Sequence, residues 1–178
     1  MKSVTMSAMG SATLVPISEY LSTDYSPDCD YVDGEVQERN WGEQDHSRTQ
    51  ALLIGIFLRL EKQLGIRVFP EQRIQVSRSR FRVPDVCVVC GPRPQEQIFT
   101  KPPFICIEIL SPEDRMVRMQ EKIGDYLAFG VPNVWMINPQ TRRAYISTAE
   151  GIQEAKQGIL RTENPEIVVR LAEVFGAE

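Results

Sequence analysis

Phe81-Arg82-Val83-Pro84-Asp85-Val86-Cys87-Val88-Val89 and Phe104-Ile105-Cys106-Ile107-Glu108-Ile109-Leu110 decide how this chain folds. Each is an apolar run interrupted by one carboxylate. Val86 to Val89 and Ile105 to Leu110 are apolar on both faces, so they read as central strands covered by helices on either side. A buried ionised carboxylate is costly unless it is paired or holds a metal. Two of them on neighbouring strands, Asp85 and Glu108, followed by a helix carrying Lys122, suggest a divalent-metal site with a cationic helper.

Working outward, strands are expected near 66–69, 71–76, 82–90, 104–110, 133–138, 143–148 and 166–170. Asp33-Gly34 is a two-residue hairpin turn within Tyr31 to Val36. A helix is expected over 46–64, with Asp45 as N-cap and Gly65 at its end. Its apolar face is Leu52, Leu53, Ile56, Phe57, Leu60 and Leu64. A second helix, 114–129, places Met119, Ile123, Tyr126 and Leu127 at helical spacing. Short helices are expected at Ile17 to Leu21 and Leu171 to Phe175. The helix between strands 104–110 and 133–138 can act as a right-handed crossover and make that pair parallel. The expected class is α/β, a mixed sheet with helices on both sides, in one domain over 13–178. Residues 1–12 are expected to be disordered.

The chain has 178 residues, 42% of them hydrophobic, enough for a normal core. No apolar run is long enough to span a bilayer, and no leader pattern begins the chain, so a cytoplasmic protein is expected. Net charge is −4, which argues against strong nonspecific nucleic-acid binding by the whole surface. A local basic stretch runs over 59–82, seven basic residues against two acidic, including Arg78, Arg80 and Arg82. It reads either as a solvated helix face and edge hairpin or as a nucleic-acid-facing patch. Cys29, Cys87, Cys90 and Cys106 show no zinc spacing and are expected to be buried reduced thiols. Neither glycine-rich nucleotide-binding motif is present.

Carboxylates on adjacent strands can converge on one cation when their registers match. Mg²⁺ or Mn²⁺ needs only one or two carboxylates, water and a backbone carbonyl, here that of Ile109. Such an ion would polarise a phosphate and acidify water, the chemistry of a phosphodiesterase. The plainer reading is a strand-end aspartate in water and a glutamate paired with an arginine. Pro84 suits an edge or bulge that re-aims Asp85. Lys122 lies at the border of the apolar face, where it can snorkel to solvent or serve as a point charge toward phosphate. Ser111 follows the Glu108 strand and either begins a turn or bonds a carboxylate or phosphate. His46, the single histidine, reads as a solvent-facing residue or a pocket contact. Glu35, just past the tight turn, is a further candidate acidic ligand. Pro27-Asp28 precedes no apolar strand and reads as a turn.

At these residues the chain resembles the Uma-type restriction endonucleases of the PD-(D/E)xK nuclease superfamily. The resemblance covers about residues 14–175 and runs through Tyr31-Val32-Asp33-Gly34-Glu35, His46, Pro84-Asp85, Glu108-Ile109-Leu110-Ser111-Pro112, Lys122-x-x-x-Tyr126, Gly130-Val131-Pro132 and Trp135-Met136-Ile137-Asn138-Pro139. It implies a restriction-endonuclease-like core with Asp85 and Glu108 holding Mg²⁺ or a similar ion. The superfamily's usual lysine position is Leu110 here, and Lys122 matches the helix lysine of this family. Glu35 matches the family's upstream acid, and His46 carries over as a pocket residue. Arg118 stands where the family often has an aspartate, and Asn138 where it has one before proline. The expected activity is Mg²⁺-dependent hydrolysis of DNA phosphodiester bonds, with a homodimer suited to cutting both strands. A non-catalytic nucleic-acid-binding or assembly module, and a hydrolase of RNA or small phosphate esters, are the alternatives.

Overall fold

The computed structural model describes residues 14–39, 43–112 and 116–176. The expected disorder of residues 1–12 lies outside them, as does the expected helix start at 114. The helices are α1 (Ile17–Ser22), α2 (Gln44–Leu64), α3 (Met116–Phe129) and α4 (Leu171–Phe175). The first strands are β1 (Cys29–Val32), β2 (Glu35–Glu38), β3 (Ile66–Pro70), β4 (Ile74–Ser77), β5 (Arg80–Arg82) and β6 (Val86–Cys90). After them come β7 (Ile105–Ile109), β8 (Asn133–Asn138), β9 (Arg143–Thr148), β10 (Gly151–Glu154), β11 (Ile159–Thr162) and β12 (Ile167–Arg170).

A six-stranded mixed sheet, order β10-β9-β8-β7-β6-β3, forms the centre. Only β7 and β8 within it are parallel, and α3 is the crossover between them. A four-stranded antiparallel sheet, order β2-β1-β5-β4, lies beside it, and β11 pairs with β12.

Alternation along the central strands sorts the core into two layers. Val86, Val88, Ile105, Ile107 and Ile109 pack with Leu53, Ile56 and Phe57 of α2. Cys87, Val89 and Cys106 pack with Met119, Ile123 and Tyr126 of α3. Glu108 therefore points to the α3 side; Asp85 lies in the link just before β6, with its carboxylate near His46 of α2. Both carboxylates lie at the end of the sheet that α3 crosses.

The expected strand 82–90 is two strands. Val83, Pro84 and Asp85 link β5 in the small sheet to β6 in the large one. Pro84 has no N–H to give a ladder, so the chain changes sheets there rather than forming an edge or bulge. The expected strand 71–76 starts only at Ile74. Helix α2 begins before Asp45, with Glu43 at the cap position, so Asp45 lies in the first turn instead of capping it. Gly65 ends α2 in the left-handed region, as its position in the sequence predicts. Cys29, Cys87 and Cys106 are buried free thiols, whereas Cys90 at the end of β6 is exposed. Among the described residues no helix is long and apolar enough to cross a membrane.

Candidate functional site

A cleft of about 300 Å³ opens where the two sheets meet. The β1–β2 hairpin contributes Asp30, Gln37, Glu38 and Arg39; the link into β6 contributes Asp85; β7 contributes Glu108 and Ile109. Helix α2 adds His46, and α3 adds Arg118, Met119 and Lys122. Ser111, just past β7, completes that wall.

Asp85 is buried, and every one of its oxygens has a partner. Its Oδ2 accepts the Ile109 backbone N–H at 2.6 Å and lies 3.3 Å from His46 Nε2. Its Oδ1 accepts the Arg39 guanidinium. Gln50 of α2 donates to its carbonyl at 2.9 Å. Burial pushes the Asp85 carboxyl up, but the hydrogen bond from His46 and the charge of Arg39 outweigh it and hold it below the usual range. Asp85 is thus a fixed anion.

Glu108 is equally buried. Lys122 Nζ donates to its Oε2 at 2.8 Å and the Tyr126 hydroxyl to its Oε1 at 2.7 Å. Lys122 and Tyr126 are four apart on α3 and so share the face above β7. Burial and the charges of Asp85 and Asp30 hold Glu108 above its ordinary value despite Lys122. Burial alone would lower the Lys122 ammonium, but Asp30 and Glu108 outweigh it and leave it raised. One ammonium is shared among several carboxylates, since Asp30 Oδ2 lies 3.4 Å from the same Nζ. Lys122 is therefore a cation, not a base, in this arrangement.

Asp30, Gln37, Arg39, Gln50 and Tyr126 were not singled out as site residues by their sequence positions. Asp30 had a usable signal: an acid within the short apolar run Cys29 to Val32. Arg39 had none, lying in a polar stretch after a hairpin. Glu35, expected as an upstream acid, is exposed next to the turn and does not line the cleft. The hairpin reaches the cleft by its open end, where Asp30 pairs with Gln37 and Arg39 follows. Glu35 pairs with Val32 at the opposite end.

The arginine patch is also corrected. Arg82 is 1% exposed, held by Asp30 at 3.2 Å and Asp125 at 2.6 Å. Arg80 pairs with Asp125 and Glu121, both at 3.0 Å, and with Asp33. Arg78 alone of the three is exposed, in the β4–β5 turn. Arg80 and Arg82 join the hairpin to α3. Asp28 receives Arg73 at 2.6 Å.

Among the described residues, no group of three or more His, Cys, Asp and Glu side chains is placed to hold a metal ion. The donor set still fits a hard cation, because Mg²⁺ takes one or two carboxylates and keeps several waters. Asp85 and Glu108 are oxygen donors near enough for each to feel the other's charge. Arg39 and Lys122 now supply the positive charge that two buried carboxylates require.

The family described as Uma2, putative restriction endonuclease, matches residues 17–175. Among solved structures, the chain is similar to a protein described as a putative nuclease belonging to DUF820 from Anabaena variabilis ATCC 29413. Their TM-score is 0.78 at 22% sequence identity, over 90% of this chain and 97% of that one, a likeness of fold. No curated protein matches this chain.

Proposed function

We propose that this chain, which belongs to the Uma2 family of putative restriction endonucleases, is a divalent-metal-dependent DNA endonuclease. The observation that carries the reading is the linked pair of buried acids. Asp85 accepts the N–H of the residue that follows Glu108, and Lys122 sits on Glu108. Buried charges held this closely in a cleft are costly to keep, and such clusters are more frequent at functional sites than elsewhere.

Asp85, Glu108 and the Ile109 carbonyl are the groups that would hold Mg²⁺ or Mn²⁺. A bound ion would polarise the scissile phosphate and make water more acidic. The chain's own residues set the stage for that. His46, Gln50 and the Ile109 N–H fix Asp85 in one orientation. Tyr126 fixes Glu108. Lys122 places a positive charge where negative charge develops on phosphorus oxygens. Hydrolysis adds water across one phosphorus–oxygen ester bond, leaving a phosphomonoester and a hydroxyl.

The binding-module alternative drew on Arg78, Arg80 and Arg82, and two of those are spent on Asp30, Asp33, Glu121 and Asp125. A cleavage assay on plasmid, linear duplex and single-stranded DNA, with an RNA control, tests the reading. Wild type with Mg²⁺ or Mn²⁺ should cleave DNA, chelator should stop it, and Asp85→Asn and Glu108→Gln should each lose at least about a hundredfold. Cleavage that survives both substitutions would remove the assignment.

A further inference from the structure

We propose that Arg39 is an exchangeable cation: it neutralises Asp85 in the metal-free cleft, and leaves Asp85 Oδ1 for the phosphate of the DNA when the site is loaded. This rests on the metal-dependent reading above.

Asp85 Oδ2 is committed to the Ile109 N–H at 2.6 Å and faces His46 Nε2 at 3.3 Å. Both partners belong to the frame, one a strand backbone and the other the first turn of α2. Oδ1 is occupied by Arg39. A cation that uses Asp85 comes to the second lone pair of Oδ1 and lies beside the guanidinium already there, so the two positive charges compete for one oxygen.

Arg39 is built to move. It follows the last residue of β2, outside the strand ladder. Its side chain is 12% exposed, so it is covered but reaches the cleft wall. A second carboxylate lies within reach: Arg39 Nη1 is 3.6 Å from Glu71 Oε1, and the Glu71 side chain is 55% exposed at the rim. Glu71 is tied to the same place by its own N–H, which donates to the Asp85 carbonyl at 3.2 Å. Arg39 therefore bridges the buried acid and the rim acid. Sliding toward the rim keeps one ion pair and turns its fork to the open cleft.

Charge favours the same exchange. Asp30, Asp85 and Glu108 face Arg39 and Lys122 directly. A divalent ion beside Arg39 would repel it. A DNA phosphate arriving at the mouth restores the balance. A planar guanidinium pairs with phosphate through two parallel N–H bonds, which an ammonium cannot do. Lys122, held by Glu108 and Asp30, stays behind as the fixed charge.

The test separates this exchange from the metal reading itself. Mn²⁺ binding is measured by calorimetry, without DNA, on wild type, Arg39→Gln, Arg39→Lys and Asp85→Asn. Duplex binding is measured by fluorescence anisotropy with Ca²⁺ in place of Mg²⁺. Arg39→Gln should bind Mn²⁺ about tenfold more tightly than wild type and bind the duplex about tenfold more weakly. Arg39→Lys keeps a charge over Asp85 and should retain near wild-type Mn²⁺ affinity while still losing duplex affinity. That pair of results stands even if the glutamine variant folds poorly. If Asp85→Asn abolishes Mn²⁺ binding but Arg39→Gln leaves it unchanged, Arg39 does not compete and the exchange is overturned, with the metal reading intact. If Arg39→Gln gains metal affinity and keeps full duplex affinity, the phosphate role is overturned. If neither wild type nor Arg39→Gln binds Mn²⁺, the exchange and the metal reading both fall.

Discussion

The carboxylate of Asp85 accepts the backbone N–H of Ile109 at 2.6 Å, so the strand that carries one acid holds the other in place. Asp85 is thereby part of the fold as well as of the cleft. Its carboxyl is held below the usual range, so the ionised form stabilises the folded state. For a depressed carboxylate this stability is present above the unfolded pKa and is lost as pH falls through the folded one. Asp85→Asn should cost about 1–3 kcal/mol at pH 7, because a charged acceptor of the Ile109 N–H and Arg39 is replaced by a neutral amide, while Arg39 keeps Glu71 within reach. The gap to wild type should begin to narrow below about pH 4 and go on narrowing as pH falls further. Urea unfolding of both proteins from about pH 7 to about pH 2.5 measures it, and an equal gap across that range would refute the linkage. An alanine at this position removes more of the frame and makes a poorer test of catalysis.

Tyr126 governs the other acid. Its hydroxyl donates to Glu108 Oε1 at 2.7 Å in a buried setting. Tyr126→Phe removes that donor and leaves the ring packed against Met119 and Ile123. The loss should be about 1–3 kcal/mol, the cost of a charged acceptor left short of a partner. Glu108, already raised, should rise further, because a hydrogen bond to the ionised form has gone. If cleavage requires ionised Glu108, the acid limb of the pH–rate profile should move to higher pH. A profile superimposable on that of wild type would show that Glu108 does not set that limb.

Arg78 and Arg82 should respond oppositely to substitution. Arg78 lies exposed in a turn, so Arg78→Glu should change stability by less than about 0.5 kcal/mol. Arg82→Met leaves the buried Asp30 with Lys122 and the Val83 N–H, and Asp125 with Arg80, so the lost charge-assisted bonds should cost about 1.5–3 kcal/mol. Adding Asp125→Asn should recover part of that loss. Chemical denaturation of the single and double variants gives the comparison, and equal stability of the two single variants would contradict it.

What was legible in the sequence follows from this geometry. Asp85 and Glu108 stood out as acids in apolar runs, and period-two alternation along β7 fixes the side that Glu108 faces. Helical spacing likewise puts Lys122 and Tyr126 on one face. Residues placed by tertiary packing were not legible. Arg82 looked like part of a basic surface because its partner Asp125 lies 43 residues away on another element. Glu35 looked like a ligand because nothing in a hairpin's sequence says which end meets the sheet. Arg39 and Gln50 are polar residues in polar surroundings until the hairpin and α2 converge on Asp85. Pro84 warned of irregularity, yet only the second sheet explains why the chain breaks there.

The Asp33-Gly34 turn, by contrast, was visible as a dipeptide and makes a sharp prediction. Gly34 has φ +102°, a conformation side chains rarely adopt. A Cβ there would lie 2.9 Å from Leu14 Cδ2. The carbonyl of Gly34 also accepts the Val15 N–H at 2.8 Å, which ties the segment before α1 to the hairpin. Gly34→Ala should therefore cost more than about 1 kcal/mol, through strain at the turn rather than lost packing. Since β1 and β2 carry Asp30 and Gln37, and Arg39 follows β2, the strain should also loosen one wall of the cleft. Hydrogen exchange of the Asp30 to Val32 amides should quicken in the variant, while that of β7, in the other sheet, should change little. Equal acceleration in both sheets would mean that the hairpin and the central sheet open as one unit, and that the turn does not act locally on the cleft wall.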